Sequence, residues 1–271
     1  MPAHTHRPLT FAGLPFAPIH RRRAGKLPDL SSLRPDEYPR ERVELARRIW
    51  RERTMTEFRS IQIMARFLGE LANAGDPLDV YAMALEMIED EIRHTELCAA
   101  VAAALGAPAL LPDPVALRDA PEFLAAPPAE RALASAITML GINETISAGY
   151  IADLHARCQQ PAVRAVLSAT IEDEDAHHVL GWQYIERSLA RFPPSTLSDW
   201  RHLVKTTLAP HQQGAAAALA EVPADQQHLE AHPEPELVAL GLFSSVRQAL
   251  VFRKTLAEIL QPRLAALKLI V

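Results

Sequence analysis

Residues 88–97 read IEDEIRHTEL and residues 171–180 read IEDEDAHHVL, so an acidic segment with a Glu-x-x-His core occurs twice in this chain. On a helix, a Glu and a His three residues apart project from one face, about 4.5 Å apart along the axis, and both can reach one metal ion. A single such motif carries little weight. The two gain meaning from two further glutamates. Glu57 stands 18 residues before a turn at Gly75 and Glu91 stands 16 after it; Glu144 stands 16 before a turn at Gln160 and Glu174 stands 14 after it. In two antiparallel helical hairpins, Glu57, Glu91, His94, Glu144, Glu174 and His177 therefore come to one height. Four converging carboxylates on apolar stripes require positive charge, and no Lys or Arg on those stripes supplies it. A solvated acidic face does not predict this alignment. A rival register, Asp175 with His178, shares a face with Ser168 and Glu172, whereas Glu174 and His177 align with Leu167 and Ile171.

The elements that would hold these residues are helical. Ala and Leu dominate, Gly is sparse, and β-branched residues do not alternate, so the periodicity predicts an all-α chain. Residues 1–38, rich in Pro, His and Arg and containing Arg21, Arg22 and Arg23, read as an extended arm. Residues 39–191 form the candidate metal-binding unit. Helix one spans about 39–73 with Trp50, Glu57, Ile61, Met64 and Leu68 on one stripe. Helix two spans about 77–105 with Ala84, Met87, Glu91, His94 and Cys98 together. Six prolines break residues 107–128, which predicts a long crossover. Helix three spans about 129–157 and helix four about 161–191, completing a four-helix bundle. Residues 192–271 add amphipathic stretches near 196–220 and 236–268, expected to pack on the bundle or on a second subunit, as in a homodimer.

Composition narrows the classes of function. A formal charge of −5 and a pI near 6.1 provide no basic field for nucleic acid. Neither an apolar leader segment nor a membrane-length apolar run is present, and Cys98 and Cys158 lack the spacing of a disulfide framework or zinc knuckle. A reduced, cytoplasmic setting is expected. Trp50 and Trp182 read as core residues, Cys98 as a small buried hydrophobe, and His155 as too distant to join Glu144. Arg53, one turn before Glu57, reads by default as a solvated rim residue, with orienting a carboxylate or an anionic substrate the alternative.

The motifs TEFRS with Glu57, DEIRH with Glu91 and His94, INETI with Glu144, and DEDAHH with Glu174 and His177 together resemble the ferritin-like di-iron carboxylate proteins. The resemblance covers about residues 40–191. It implies a bundle in which these six residues hold two iron ions and act in catalysis through them, with manganese the other candidate. It also implies that Asp90 and Asp173 bond the ligating histidines of the opposite hairpin. An oxygen-rich set with two imidazoles suits iron or manganese better than structural zinc. The activities implied use O2 as cosubstrate to oxidise a small organic molecule, as a monooxygenase or related oxidoreductase with an external electron donor. Ferroxidase, iron-handling or peroxide-removing activity without an organic substrate is the alternative. Arylamine N-oxygenases of this layout carry a His one turn before the helix-four Glu, where this chain has Thr170. The added terminal segments favour an organic substrate, and the small residues Gly141 and Ala148, with Ser147, predict a channel against helix three.

Overall fold

The computed structural model describes residues 26–108, 117 and 119–270, without the side chains of Asp175, Ala176 and His178. Residues 1–25 of the expected arm, with Arg21 to Arg23, lie outside the described residues. So do residues 109–116 and 118 of the expected crossover, and the side chains of the rival Asp175 and His178 register.

All regular structure among the described residues is helical. Helix α1 (Arg40–Ala74) and helix α2 (Leu78–Ala104) form the first hairpin. Gly75 ends α1 in the left-handed region at φ 72°, its N–H donating to Ala72 O while the Asp76 N–H donates to Leu71 O. Pro77 then precedes α2, and the buried Asp76 carboxylate ties the turn to chain more than a hundred residues later by accepting from Tyr184 Oη (2.8 Å) and from Arg191.

A short helix α3 (Pro121–Ala125) lies in the connection. Helix α4 (Pro128–Ser135) passes through a π-helical segment (Ala136–Asn143) into helix α5 (Glu144–Arg157), so the third long helix is continuous but not regular. The expected regular helix is corrected here. The apolar period across this stretch does not register the i→i+5 widening, which redirects side chains within a helix. Hydroxyls share the carbonyl ladder there, Thr138 donating to Ala134 O and Thr145 to Gly141 O. Helix α6 (Pro161–Leu189) closes the second hairpin; the Gln160 side chain caps it by accepting from the Val163 N–H at 2.9 Å.

Helix α7 (Leu197–Leu219) agrees with the amphipathic pattern, whereas the expected second stretch is divided. Helix α8 (Pro235–Val238) ends near Gly241, whose φ is 70°. Helix α9 (Ser245–Thr255) begins anew, capped by Ser244, and a π turn (Leu256–Leu260) leads into helix α10 (Gln261–Ala266). Helix α9 packs on α5 and α7 within the same chain.

The apolar interior forms two clusters. One contains Met64, Phe67, Met87, Leu140, Trp182 and Ile185, and the other contains Trp50, Leu97, Val101, Leu154, Val163 and Leu167. On α1, α2 and α6 the two clusters claim opposite ends of the helix, and the residues between them are Glu57, Glu91 with His94, and Glu174 with His177. The polar layer thus divides the core. The buried face of α1 runs through Phe67 and Leu71, with Leu68 at its edge. No helix among the described residues is long and apolar enough to cross a membrane.

Candidate metal centre

Burying carboxylates between two apolar clusters is costly, so their contacts decide what the layer is for. Glu91 is 3% exposed, Glu144 and Glu174 6%, His94 1% and His177 2%, while Glu57 is half-buried. One ligand atom from each of Glu91, Glu144, Glu174 and His177 lies within 4.8 Å of all the others, and the same holds for Glu57, Glu91 and His94. Glu91 belongs to both groups. Glu174 Oε1 also reaches to 3.4 Å from His94 Nδ1, so Glu91 and Glu174 lie between the two groups. The six residues singled out by spacing are therefore brought together.

Both imidazoles turn the same edge inward. His94 Nδ1 stands 3.9 Å from Glu91 and 3.4 Å from Glu174, and His177 Nδ1 stands 3.6 Å from Glu174. Their outer nitrogens bond across the hairpins: His94 Nε2 lies 3.2 Å from Asp173 Oδ2, and His177 Nε2 lies 2.8 Å from Asp90 Oδ2. A proton held on Nε2 by a carboxylate leaves Nδ1 as a lone-pair donor toward the interior, as a metal ligand requires. Asp90 and Asp173 thus occupy the orienting positions that the resemblance implies.

The electrostatics show what this cluster lacks. Burial, followed by the neighbouring carboxylates, drives Glu91 and Glu144 well above the ordinary range. Burial also raises Glu57, against the pull of His94. For Glu174, burial is outweighed by the His177 bond and by His94, and its carboxyl falls below the ordinary value. His177 is raised to about 10: burial opposes the charge, but bonds to Asp90 and Glu174 override it. Protons are thus gathered where positive charge is needed. Glu91 Oε2 and His94 Nδ1 are buried with no hydrogen-bond partner, and no Lys or Arg among the described residues pairs with Glu57, Glu91 or Glu144. Four carboxylates and two neutral imidazoles balance two divalent cations, and oxygen donors with imidazole fit iron or manganese. The donor set fits the implied group.

A cavity of about 460 Å³ opens onto Glu57 and is bordered by α1, α5, α6 and the segment before α9. On α5 its wall is Ser147, Tyr150, Ile151 and Leu154, so of the small residues expected to border a space beside helix three, Ser147 lines it and Gly141 and Ala148 do not. Gly141 is small because α6 packs on it: a Cβ there would stand 2.8 Å from Ile185 Cδ1. Arg53 also departs from expectation. It is half-buried, lies over the Trp50 ring at 4.6 Å and lines the cavity. Its spacing, one turn before Glu57, singled it out, but the default reading as a solvated rim residue does not hold. His155 bonds Ser168 Oγ at 2.9 Å and stays outside both ligand groups, and Trp50, Trp182 and Cys98 are buried as expected. Comparison with protein-family models, with curated proteins and with solved structures gives no match to this chain.

Proposed function

We propose that this chain is a ferritin-like di-iron oxidoreductase that uses O2 to hydroxylate, or similarly oxygenate, a small organic molecule. The observation that carries the reading is the layer of four carboxylates and two imidazoles in which Glu91 Oε2 and His94 Nδ1 are buried without partners. Glu57, Glu91 and His94 would hold one cation and Glu144, Glu174 and His177 the other, with Glu91 and Glu174 between them. When bound, two ferrous ions supply electrons to O2 and the coordination positions at which it is activated.

The chain's own residues do the rest. Asp173 and Asp90 retain the Nε2 protons of His94 and His177 and fix both rings. The two apolar clusters keep water from the layer on either side. The cavity beside Glu57 gives an organic molecule a place next to the cluster, which favours this reading over iron storage or peroxide removal. In a hydroxylation, one oxygen atom enters a C–H bond and the other leaves as water, so an external donor must supply two electrons and two protons.

Metal analysis of iron-supplied protein should give about two ions per chain, reduced sharply by Glu91→Ala or Glu174→Ala. With excess ferrous iron and O2, oxidation should also stop near about two ferric ions per chain. Unchanged metal content in both variants would remove the proposal, and uptake of many irons per chain would establish storage instead.

A further inference from the structure

The cavity beside Glu57 is walled mainly by apolar side chains, among them Ile49, Trp50, Leu154, Val166, Leu167 and Phe243. It nevertheless contains a cation that is held in no ion-pair contact. Arg53 stands one turn before Glu57 on α1, about 6 Å along the axis, and forms no ion pair among the described residues. Two carboxylates border the same space, and neither forms an ion pair with it, although the Glu57 charge favours the guanidinium. Glu52 is exposed and faces Arg48 at 4.0 Å, while Glu57 belongs to the ligand set of the cluster.

The surroundings make the charge costly, since burial lowers the pKa of Arg53 even against the nearby Glu57 carboxylate, which the cluster requires as a ligand. Three of the other polar groups on the wall are already engaged: the Tyr150 hydroxyl pairs with the Gln248 side chain, Thr170 Oγ1 donates to Val166 O and Thr56 Oγ1 to Glu52 O, both at 3.1 Å. Stacking on Trp50 uses a face of the guanidinium and leaves its N–H edge for a planar acceptor. A neutral guest would leave this edge desolvated and unpaired, and a cationic guest would be repelled.

Building on the reading of the layer as a metal centre, we propose that Arg53 recognises a carboxylate on the substrate, so that the cavity takes a monoanionic organic acid with an apolar body. A carboxylate matches the guanidinium fork in charge and in plane, while the Trp50, Leu167 and Phe243 wall covers the rest of the molecule.

The test uses octanoate, 1-octanol and octylammonium as probes, with binding followed by calorimetry on the full chain as purified and metal measured on the same samples. Octanoate should bind about ten-fold or more tightly than the other two, and Arg53→Gln should weaken octanoate by about ten-fold or more while leaving octanol unchanged. Equal binding of the three probes, or octanoate binding indifferent to Arg53→Gln, overturns the proposal; the latter is also the result if octanoate sits on the metal. If Arg53→Gln does not fold, the probe series on the unmodified chain and Arg53→Lys decide. Lysine keeps the charge but loses the fork, so octanoate should weaken by less than in a charge-free site, and an unaltered affinity overturns the role of the fork. Arg53-dependent octanoate binding in metal-free samples would leave this inference standing and remove the di-iron reading. About two metals per chain without Arg53-dependent binding would do the reverse.

Discussion

His177 is held between Asp90 at 2.8 Å and Glu174 at 3.6 Å, so in the metal-free chain its proton is bound more tightly folded than unfolded. Its pKa rises from 6.5 to about 10. A raised histidine contributes stability that is fully present below pH 6.5 and is lost as pH climbs through about 10. The raised Glu91 and Glu144 act in the same direction, because the folded state holds their protons above the ordinary carboxylate range. The Tm of chelated protein should therefore fall between pH 6.5 and 10 relative to that of metal-loaded protein, in which cations replace these protons. Parallel Tm profiles would contradict this account. The two histidines are also unequal. Asp173 accepts from Arg93 Nη1 at 2.8 and 3.1 Å as well as from His94, whereas Asp90 meets His177 and no Lys or Arg among the described residues. A carboxylate shared with a guanidinium polarises its imidazole less, which makes His94 the weaker donor. Manganese titration of chelated protein should resolve two affinities, and Arg93→Gln should bring them closer; a single affinity in the unmodified chain, or an unaltered gap in the variant, would refute the asymmetry.

Among the elements, the π segment between α4 and α5 sets the phase at which Glu144 enters the layer, and α6 presses directly on it. A Cβ at Gly181 would stand 2.6 Å from Leu140 Cβ and 3.2 Å from Leu140 O, and Leu140 lies inside the π segment. Gly181→Ala should force these helices apart at a cost of about 1–3 kcal/mol, seen as a lower Tm, and should reduce metal content because Glu144 moves with its helix. Full metal occupancy at unchanged Tm would show that the contact yields without consequence. Much of this layer was legible before any coordinates: Glu57, Glu91, His94, Glu174 and His177 occupy core phases of 3.6-residue periods, and hairpin counting alone places them at one height. Asp90 and Asp173 required a resemblance, since nothing in periodicity says which carboxylate meets which imidazole. The π segment was not legible because its widening depends on what α6 packs against it, and Arg53 reads by default as a rim residue because Leu242 and Phe243, which share its cavity wall, lie nearly two hundred residues away in the chain.

At the scale of the whole molecule, the C-terminal segments turn an exposed bundle flank into a cavity. Leu242, Phe243 and Gln248 supply part of its wall, and Trp50 Nε1 donates to Leu240 O at 2.9 Å, fixing the loop before α9 over α1. The lock that keeps this cover in place is Asp153 on α5. Its carboxylate accepts from Arg247 on α9 at 2.6 and 3.0 Å and from Arg157 at 2.6 Å, and these arginines also bond the main chain at Leu229, His232 and Pro233. Arg247 is only 7% exposed at its side chain, so removing its counter-charge leaves a buried guanidinium without a carboxylate. Asp153→Asn should therefore cost about 3 kcal/mol or more and loosen the loop and helix α9 together. None of the six layer residues touches this lock, so metal content should stay near about two ions per chain while protease cleavage within residues 220–244 accelerates and octanoate binding weakens. If metal were lost along with protease resistance, cover and cluster would form one cooperative unit; if cleavage and binding were both unchanged, the cover would be held by apolar contact alone, and the ion pairs would be incidental to the cavity.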